Sequence, residues 1–333
     1  MKAEKLPSGN YRIRVIIGHD ADGKPIRKSF THPDKKRVLA IAHTYADAHR
    51  NVRSRTTIEQ AIDAFLASHK AVLSPSTIRA YTSLAKTLKA EQGPFCALYV
   101  ADIKKSELQA LINSLVQKGN SPKTVRNIHA FISAVVKYSG ERLPEVKLPQ
   151  KKKPDINIPD EQTAKKISEA AKGTKMEIPV ALALFALRRS EICALSPEDI
   201  EGNIVHIHKA AVYGSDKAIH VKTPKTYTSD RYVRIPAELA EKIVSQGYVT
   251  EYTPAGLTHA YKRLLEKAGV PHYRLHDLRH FFVSYCHNVL HLSDMQIQAI
   301  TGHKTSVVMQ NYLHSMNDDE AGKAVSDSLS KLL

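Results

Sequence analysis

Five residues in the second half of the chain could together carry out chemistry on a phosphodiester. Their order along the chain is Arg188, His276, Arg279, His303 and Tyr312. Guanidinium and imidazole groups can hold a phosphate by charge-assisted hydrogen bonds, and a phenol can attack phosphorus as a nucleophile. The sequence therefore predicts a site that holds one phosphodiester while Tyr312 attacks it.

The spacing around the two arginines adds support to this prediction. Arg188 and Glu191 are three residues apart, so on one helix the carboxylate can orient the guanidinium. The pair could instead be an ordinary intrahelical salt bridge worth about 0.3 to 0.5 kcal/mol. His276 and Arg279 repeat the one-turn spacing, so both could point at the same phosphate. The repetition favours the functional interpretation.

A metal site is the alternative for the histidines. His276 and His280 are four residues apart, as two zinc ligands are on a helix. The residue after the first histidine is Asp277, however, not the glutamate of a His-Glu-x-x-His motif, and no third ligand stands out. We therefore do not expect a metal at these histidines.

Composition limits the partners. The chain has 333 residues, 42% hydrophobic content and a net charge of +16, so we expect two or three domains and a polyanionic partner, with nucleic acid first. An acidic membrane is disfavoured, because the sequence has no apolar run of about 18 residues, no signal peptide and no lipidation motif. Three widely spaced cysteines argue against a disulfide framework and favour a reducing cytoplasm.

The first element is a basic hairpin. Residues 10–17 alternate in polarity, Asp22-Gly23 offers a turn, and residues 25–30 supply a second strand; a helix follows over 36–51. The cations of the hairpin could lie against a phosphate backbone or enter a groove of DNA. The alternative is a basic face that contacts only solvent. The candidate DNA contacts here are Arg12, Arg14, Arg27 and Lys28.

Helices follow the hairpin. Thr56 and Thr57 stand three residues before Glu59 and Gln60, as in a capping box, and the pairs Ser74-Pro75 and Ser121-Pro122 are helix-start signals. A further helix is predicted over 106–118. After Ser121-Pro122, Lys123 and Arg126 are further candidate DNA contacts. Residues 143–159 carry four prolines and a lysine run, typical of an extended linker.

The last part of the chain is mixed. Its pattern predicts a helix from Asp160, one apolar helix over 176–195, a strand over 203–208, and then two strands over 218–221 and 231–235 that a basic turn joins into a pair. Helices are expected again from Pro254 onward.

Four ordered segments of this last part resemble the signature boxes of the tyrosine recombinase family, of the phage and conjugative-transposon integrase type. They are Ala-Leu-Arg188-Arg-Ser-Glu191, His276-Asp-Leu-Arg279-His280, Thr-Gly302-His303 and Asn-Tyr312-Leu-His. The resemblance covers the chain from about residue 155 to the end, and the upstream segments look similar to the arm-binding and core-binding domains of such integrases.

The resemblance implies a multidomain α+β fold with four parts. Residues 1–53 would form an arm-type DNA-binding domain of a small basic sheet plus a helix, and residues 54–141 an all-α core-binding domain. A linker would cover 142–158. Residues 159–333 would form a mixed, mainly α catalytic domain of the tyrosine recombinase type, ending in a tail helix.

The resemblance also implies roles. Tyr312 would attack a scissile phosphate to give a 3′-phosphotyrosyl bond and a free 5′-hydroxyl, without cofactor or metal. Arg188 and Arg279 would stabilise charge on the nonbridging oxygens, while His276 and His303 would hydrogen-bond to the same phosphate, His276 also helping to accept the tyrosine proton. Glu191 would buttress Arg188.

In the family a lysine on a turn between strands protonates the leaving oxygen. The turn here holds Lys222 and Lys225, and Lys225 is preferred because Pro-Lys225-Thr with Ser229 and Arg231 best resembles the family's turn. Two positions depart from the family's usual residues. Ala186 stands where the family has glycine, and Thr301 where it has leucine; neither change removes a catalytic group.

The tail, residues 318–333, has apolar residues near helical intervals. It could cap its own domain, or, as the resemblance implies, dock on a neighbouring protomer and couple cleavage across a tetramer. We expect the tail to be exchanged between protomers.

The sequence thus predicts a site-specific integrase that integrates a mobile element, excises it, or does both, in the bacterial cytoplasm, at the nucleoid. Its expected partners are double-stranded DNA with specific core and arm sites, three further copies in a homotetramer, and a DNA-bending accessory protein or excisionase. The alternatives are a type IB topoisomerase, which shares the phosphotyrosyl chemistry, and a DNA-binding regulator without catalysis.

Overall fold

The structure is a computed structural model that describes residues 2–19, 25–50, 56–151, 157–223, 230–302 and 320–333. The chain divides into two compact units. The first contains Met1–Ala71 and Tyr81–Lys152, and the second contains Val72–Ala80 and Lys153–Leu333.

The first unit begins with an antiparallel sheet in the order β1-β2-β3. Its elements are β1 (Glu4–Lys5), β2 (Tyr11–His19), β3 (Pro25–His32) and the helix α1 (Lys35–Arg50). One face of the sheet packs on α1, because Ile13 and Val15 alternate along β2 toward Val38 and Ala42 of the helix. The two predicted strands and the helix after them are confirmed, and the two strands pair antiparallel. The predicted turn at Asp22-Gly23 lies outside the described residues.

The rest of the first unit is helical. Its helices are α2 (Ile58–His69), α3 (Pro75–Glu91), α4 (Gly93–Cys96), α5 (Lys105–Gln117) and α6 (Pro122–Tyr138). The start of α3, up to Ala80, belongs to the second unit. The predicted start signals are confirmed at α2 and α6. Thr57 accepts a hydrogen bond from the Gln60 amide in a capping box, and Ser121 caps the helix that begins at Pro122.

The chain after α6 stays attached to these helices. Leu143, Val146 and Leu148 pack against the helical core, and Gln109 of α5 exchanges two hydrogen bonds with the backbone of Lys147. The first half of the proline-rich segment is therefore fixed to the helices it follows. The predicted domain boundaries stay a prediction.

The second unit combines helices with two small sheets. In chain order its elements are α7 (Glu161–Ala171), α8 (Glu177–Leu184), α9 (Arg189–Ile192), β4 (Ile200–Glu201), β5 (Ile204–Ile207), β6 (Ala210–Tyr213), β7 (Ile219–Lys222), β8 (Arg231–Arg234), α10 (Ala237–Gln246), α11 (Pro254–Lys267), α12 (Leu275–Asn288), α13 (Asp294–Thr301) and α14 (Glu320–Leu329). Its core is centred on α8, which is buried along its whole apolar length.

Two expectations for this unit were wrong. Residues 176–195 form two helices, α8 and α9, separated by a turn. The strands β7 and β8 do not pair with each other, because β7 pairs with β6 and β8 pairs with β5. The alternating Val205 and Ile207 of β5 face the core together with Val233 of β8, and this shared apolar face selects the pairing.

The tail helix α14 packs on the core of its own unit. Val325, Leu329 and Leu332 are almost fully buried there, and the Tyr285 hydroxyl on α12 makes a 2.9 Å hydrogen bond with Ser328. Within one chain the tail thus caps its own domain, and its exchange between protomers stays a prediction.

Throughout the described part of the chain, helices are too short or too polar to span a bilayer.

Candidate active site and DNA-contacting face

The turn between α8 and α9 places Arg188 at a helix start. Ala186 has a left-handed backbone conformation, with φ of 64°, so α8 ends and the chain changes direction. Arg188 is then the N-cap of α9, and Glu191 of the first turn accepts from its backbone amide at 2.8 Å. Arg188 and Glu191 are therefore paired by helix capping and not, as predicted, by two positions inside one helix.

The Glu191 carboxylate is shared by two guanidinium groups. Arg188 Nη1 donates to Glu191 Oε1 at 2.6 Å. Arg231, the first residue of β8, donates to Oε1 at 3.2 Å and to Oε2 at 2.9 Å. Glu191 and Arg231 are buried, whereas the Arg188 side chain is 30% exposed. Arg188 is thus held by Glu191 on its buried side and keeps access to a ligand on its exposed side.

Arg279 of α12 joins two other boxes. Only 2% of it is exposed, and its guanidinium donates to the backbone carbonyl oxygens of Ala186 and Thr301. Ala186 lies two residues before Arg188, and Thr301 is followed by Gly302, which ends α13 in a left-handed conformation. Residues 186–191, 279 and 301–302 therefore meet at one place, although they are distant in sequence.

The charges in this cluster remain in place near neutral pH. Burial alone would raise the pKa of Glu191, but the charge and hydrogen bond of Arg231, followed by those of Arg188, lower it to about 2. Burial, with the neighbouring Arg188 and Arg231, lowers the pKa of Arg279 to about 9. Glu191 is therefore ionised and Arg279 protonated, and three guanidiniums with one carboxylate leave a surplus of positive charge for an anion.

His276 lies on the exposed side of α12, the helix that also carries Arg279. Asp277 caps α12 by accepting from the backbone amide and the guanidinium of Arg274, which fixes the turn on which His276 stands. Desolvation by the surrounding protein, followed by the charges of His280 and Arg279, lowers the pKa of His276 to about 4. The imidazole is therefore neutral at pH 7 and able to accept a proton.

His276 and His280 are neighbours on α12. The rings of His276 and His280 lie edge to face, with centroids 4.9 Å apart. In the residues that the structure describes, no three His, Cys, Asp or Glu side chains are grouped so that they could hold a metal ion.

Three predicted site residues, Lys225, His303 and Tyr312, lie outside the described residues. Lys222, the alternative to Lys225, ends β7, and its ammonium donates to the Ser76 hydroxyl within the second unit at 3.4 Å. The structure thus brings together Arg188, Glu191, His276 and Arg279, and leaves the lysine, the second histidine and the nucleophile as predictions.

Sequence reasoning missed the role of Arg231 as a partner of Glu191. It used Arg231 only as part of a motif around Lys225. The signal was the alternation along β8, where Arg231 and Val233 occupy positions on the same, buried face. An arginine at a core-facing position of a strand requires a buried anion.

The register of the N-terminal sheet separates its cations. Directly paired residues of β2 and β3 lie on the same face: Arg12 pairs with Thr31, Arg14 with Ser29, and Ile16 with Arg27. Arg12, Arg14 and Arg27 therefore share the face away from α1, which we call the open face. Arg12 is also paired there with Glu4 at 3.0 Å.

Lys28 belongs to the opposite face. It pairs with the buried Val15, and its ammonium lies 4.6 Å from the ring centroid of Tyr45 on α1. Of the candidates on α6, Lys123 is exposed, whereas the Arg126 Nε donates to the carbonyl oxygen of Pro149 at 2.9 Å. The six candidate DNA contacts thus divide into residues on open surfaces and residues with internal partners.

The fold is that of tyrosine recombinase integrases. It superposes on the Tn1549 transposon integrase in complex with transposon right end DNA with a TM-score of 0.62 and 17% identity, over 77% of this chain and 94% of that one. It also superposes on a lambda integrase tetramer bound to a Holliday junction with a TM-score of 0.57 and 14% identity, over 92% and 96%.

The sequence resembles the same class. A tyrosine recombinase XerC-like protein of Caldanaerobacter subterraneus subsp. tengcongensis is 26% identical, over 82% of this chain and 84% of that relative. The shufflon-specific DNA recombinase of Escherichia coli is 28% identical over 39% of this chain and 32% of its own length. No protein-family model matches the chain. The resemblance to tyrosine recombinases is confirmed by both sequence and fold.

Proposed function

We propose that this protein is a site-specific DNA recombinase of the tyrosine type, which cleaves and rejoins DNA through a 3′-phosphotyrosyl intermediate. The observation that carries the proposal is the position of Arg279. Its guanidinium donates to the backbone of Ala186 and of Thr301, which precede Arg188 and His303 in the sequence by two residues. Three of the four boxes that suggested the chemistry thereby converge on one positively charged site.

The cations act on the phosphate. Arg188, exposed on one side and held by Glu191 on the other, donates to a nonbridging oxygen of the scissile phosphodiester. Arg279 adds positive charge from its buried position. Their charges stabilise the pentacoordinate transition state, in which charge builds up on these oxygens, and His303 completes the set by a hydrogen bond.

The covalent step exchanges one ester for another. The Tyr312 phenolic oxygen forms a bond to phosphorus while the bond from phosphorus to the 5′-oxygen breaks. The phenolic proton passes to the neutral imidazole of His276, and the departing 5′-oxygen takes a proton from Lys225. Attack by another strand's 5′-hydroxyl reverses the step and rejoins the DNA, so no nucleotide cofactor is consumed.

DNA is the partner, at a core site and at arm sites. The open face of the N-terminal sheet, with Arg12, Arg14 and Arg27, contacts arm DNA, and Lys123 contacts core DNA. Four copies assemble on two DNA sites, and the lambda integrase tetramer bound to a Holliday junction supports an assembly of four. A DNA-bending protein or an excisionase assists, and the work takes place in the bacterial cytoplasm, at the nucleoid.

The biological role is integration and excision of a mobile element, of phage or conjugative type. The fold it shares with a transposon integrase and with lambda integrase supports this role. Relaxation of DNA by a type IB topoisomerase uses the same chemistry, and the separate sheet domain and tail helix favour recombination over it.

The test is a covalent trap. Nicked duplexes that lose the 5′-hydroxyl fragment after cleavage are incubated with the protein, and DNA that remains attached through denaturation is recovered and sequenced. An adduct with the wild type and none with Tyr312→Phe supports the proposal and reveals the core site. If the wild type binds DNA yet forms no adduct, including in host extract, the protein is a regulator.

A further inference from the structure

Arg231 is a buried arginine that joins two parts of the site, Glu191 on α9 and Ile300 on α13. Its exposed fraction is 4%. Two of its nitrogens donate to the Glu191 carboxylate, and its Nε donates to the carbonyl oxygen of Ile300 on α13 at 2.9 Å. A side chain at this depth cannot contact DNA, so any effect it has on cleavage passes through its neighbours.

The most direct neighbour is Glu191. A carboxylate bound by the planar fork of an arginine is fixed in both position and plane. Glu191 Oε1, which Arg231 helps to hold, is also the atom that accepts from Arg188 Nη1 at 2.6 Å. The position of the Arg188 guanidinium is thus set by Arg231 through one shared oxygen.

We propose that Arg231 is a positioning residue for strand cleavage, which acts through Glu191 to aim Arg188 at the scissile phosphate. The inference rests on the proposed function, since it assigns Arg231 to the same site. The bond to Ile300 fixes the other end of the guanidinium, so that β8, α9 and the end of α13 keep one arrangement.

A second route from Arg231 to the chemistry must be distinguished. Arg231 lies six residues after Lys225 in the sequence, so its loss could displace the residue that protonates the leaving oxygen. The two routes make different demands on the substrate. Arg188 acts on a nonbridging oxygen, whereas the lysine acts on the bridging 5′-oxygen.

The experiment measures single-turnover cleavage by the wild type and by Arg231→Gln on three versions of one core-site duplex. The first has an ordinary scissile phosphodiester. The second has a methylphosphonate, which removes the charge from a nonbridging oxygen and with it the need for a well-placed Arg188. The third has a bridging 5′-phosphorothiolate, whose sulfur leaves without a proton.

On the ordinary duplex we expect Arg231→Gln to cleave roughly 100-fold more slowly, the loss typical of a small misplacement of a catalytic group, while DNA affinity is unchanged. On the methylphosphonate the two proteins should cleave at similar rates. On the phosphorothiolate the defect should persist, because leaving-group protonation was not impaired.

Two further variants test whether the defect comes only from the loss of an arginine on β8 or of its charge. Arg234→Gln makes the same change on the same strand, at an arginine that donates to Asn203 and not to Glu191, and it should cleave at the wild-type rate. Arg231→Lys keeps the charge but lacks the fork, so it should fold and show an intermediate rate on the ordinary duplex.

Recovery on the phosphorothiolate, or equal rates of wild type and Arg231→Gln on the ordinary duplex, would overturn the positioning role. A defect of equal size on all three duplexes, matched by Arg234→Gln, would identify a general folding effect and overturn it as well. Absence of cleavage by the wild type would instead overturn the proposed function itself.

Discussion

Arg279 binds the backbone carbonyl oxygen of Ala186, a residue in a left-handed conformation. The other carbonyl that Arg279 binds belongs to Thr301. These are the two positions at which the chain departs from the residues that tyrosine recombinases usually have. Because a backbone oxygen is independent of the side chain, both contacts survive the departures.

The left-handed turn at Ala186 predicts a measurable strain. Ala186→Gly and Ala183→Gly each remove one fully buried methyl group and each add backbone freedom to the unfolded chain. Only Ala186→Gly also relieves a conformation that costs an L-residue about 1 to 2 kcal/mol. In urea unfolding, Ala186→Gly should therefore be more stable than Ala183→Gly by about that amount. Equal stabilities would show that the turn is unstrained.

The backbone contact of Thr301 predicts a separation between two variants. Thr301→Val removes a hydroxyl that donates to Ile297 but leaves the carbonyl for Arg279, so the cleavage rate should stay near that of the wild type. Arg279→Lys lacks the fork that spans both carbonyls and should lower the single-turnover rate about 10²- to 10³-fold. A large defect in Thr301→Val would contradict this explanation.

The pKa of His276 predicts a pH dependence of stability. Its value in the folded protein, about 4, lies below the value of about 6.5 for an unperturbed histidine. Between these two pH values the unfolded chain binds the proton more readily, so the free energy of unfolding falls as the pH is lowered from about 6.5 toward about 4. His276→Gln should show a shallower fall.

The control for His276 is pH 8, where the histidine is neutral in both states and the wild type and His276→Gln should have the same pH slope. Parallel curves from pH 8 down to pH 4 would refute the lowered pKa. Adding phosphate-containing DNA should move the midpoint of the His276 imidazole titration, followed by NMR, upward.

The open face predicts the salt dependence of arm-DNA binding. Arg14→Gln should reduce the slope of log K against log salt by about 1, since each phosphate contact releases about one counterion. Lys28→Gln also removes one positive charge, but from the opposite face of the sheet, which packs on α1. It should leave the slope unchanged and lower stability by about 0.5 to 1 kcal/mol through loss of the contact with Tyr45. Equal slopes for both variants would contradict the assignment of faces.

The tail predicts a difference between binding and assembly. Deleting residues 320–333 should lower formation of the tetramer on paired DNA sites more than binding of one protomer to one site, if α14 passes between protomers. Tyr285→Phe, which removes only the hydroxyl that meets Ser328, serves as the control and should assemble normally. Equal loss of both activities in the deletion would argue that the tail serves only its own domain.

Local signals let the sequence predict much of this molecule. Caps at Thr57 and Ser121, alternation along β2, and the order of the four boxes each depend on neighbouring residues. The pairing of β8 with β5 could not be read in this way, since it is decided by contacts between Val205 and Val233 across the sheet. For the same reason the turn at Ala186 was taken as part of a helix, because alanine is ordinarily a good helix former.

The candidate site also combines residues that local signals predict with contacts that only the fold creates. Residue types and spacing selected Arg188, Glu191, His276 and Arg279 as candidates, because each belongs to a motif, and their roles stay predictions. The partners that hold them are backbone carbonyl oxygens and Arg231, and a carbonyl has no signature in sequence. Only the fold brings the carbonyl of Thr301 to Arg279.

The two faces of the N-terminal sheet also bear on how such a protein could change its target. Because β2 and β3 place alternate residues on opposite sides, substitutions at Arg14, Arg27 and Ser29 alter the face proposed to contact DNA without touching the core formed by Ile13, Val15 and α1. New arm sequences could therefore be acquired in steps that keep the domain folded, and a library randomised on the open face alone is the natural starting point for retargeting.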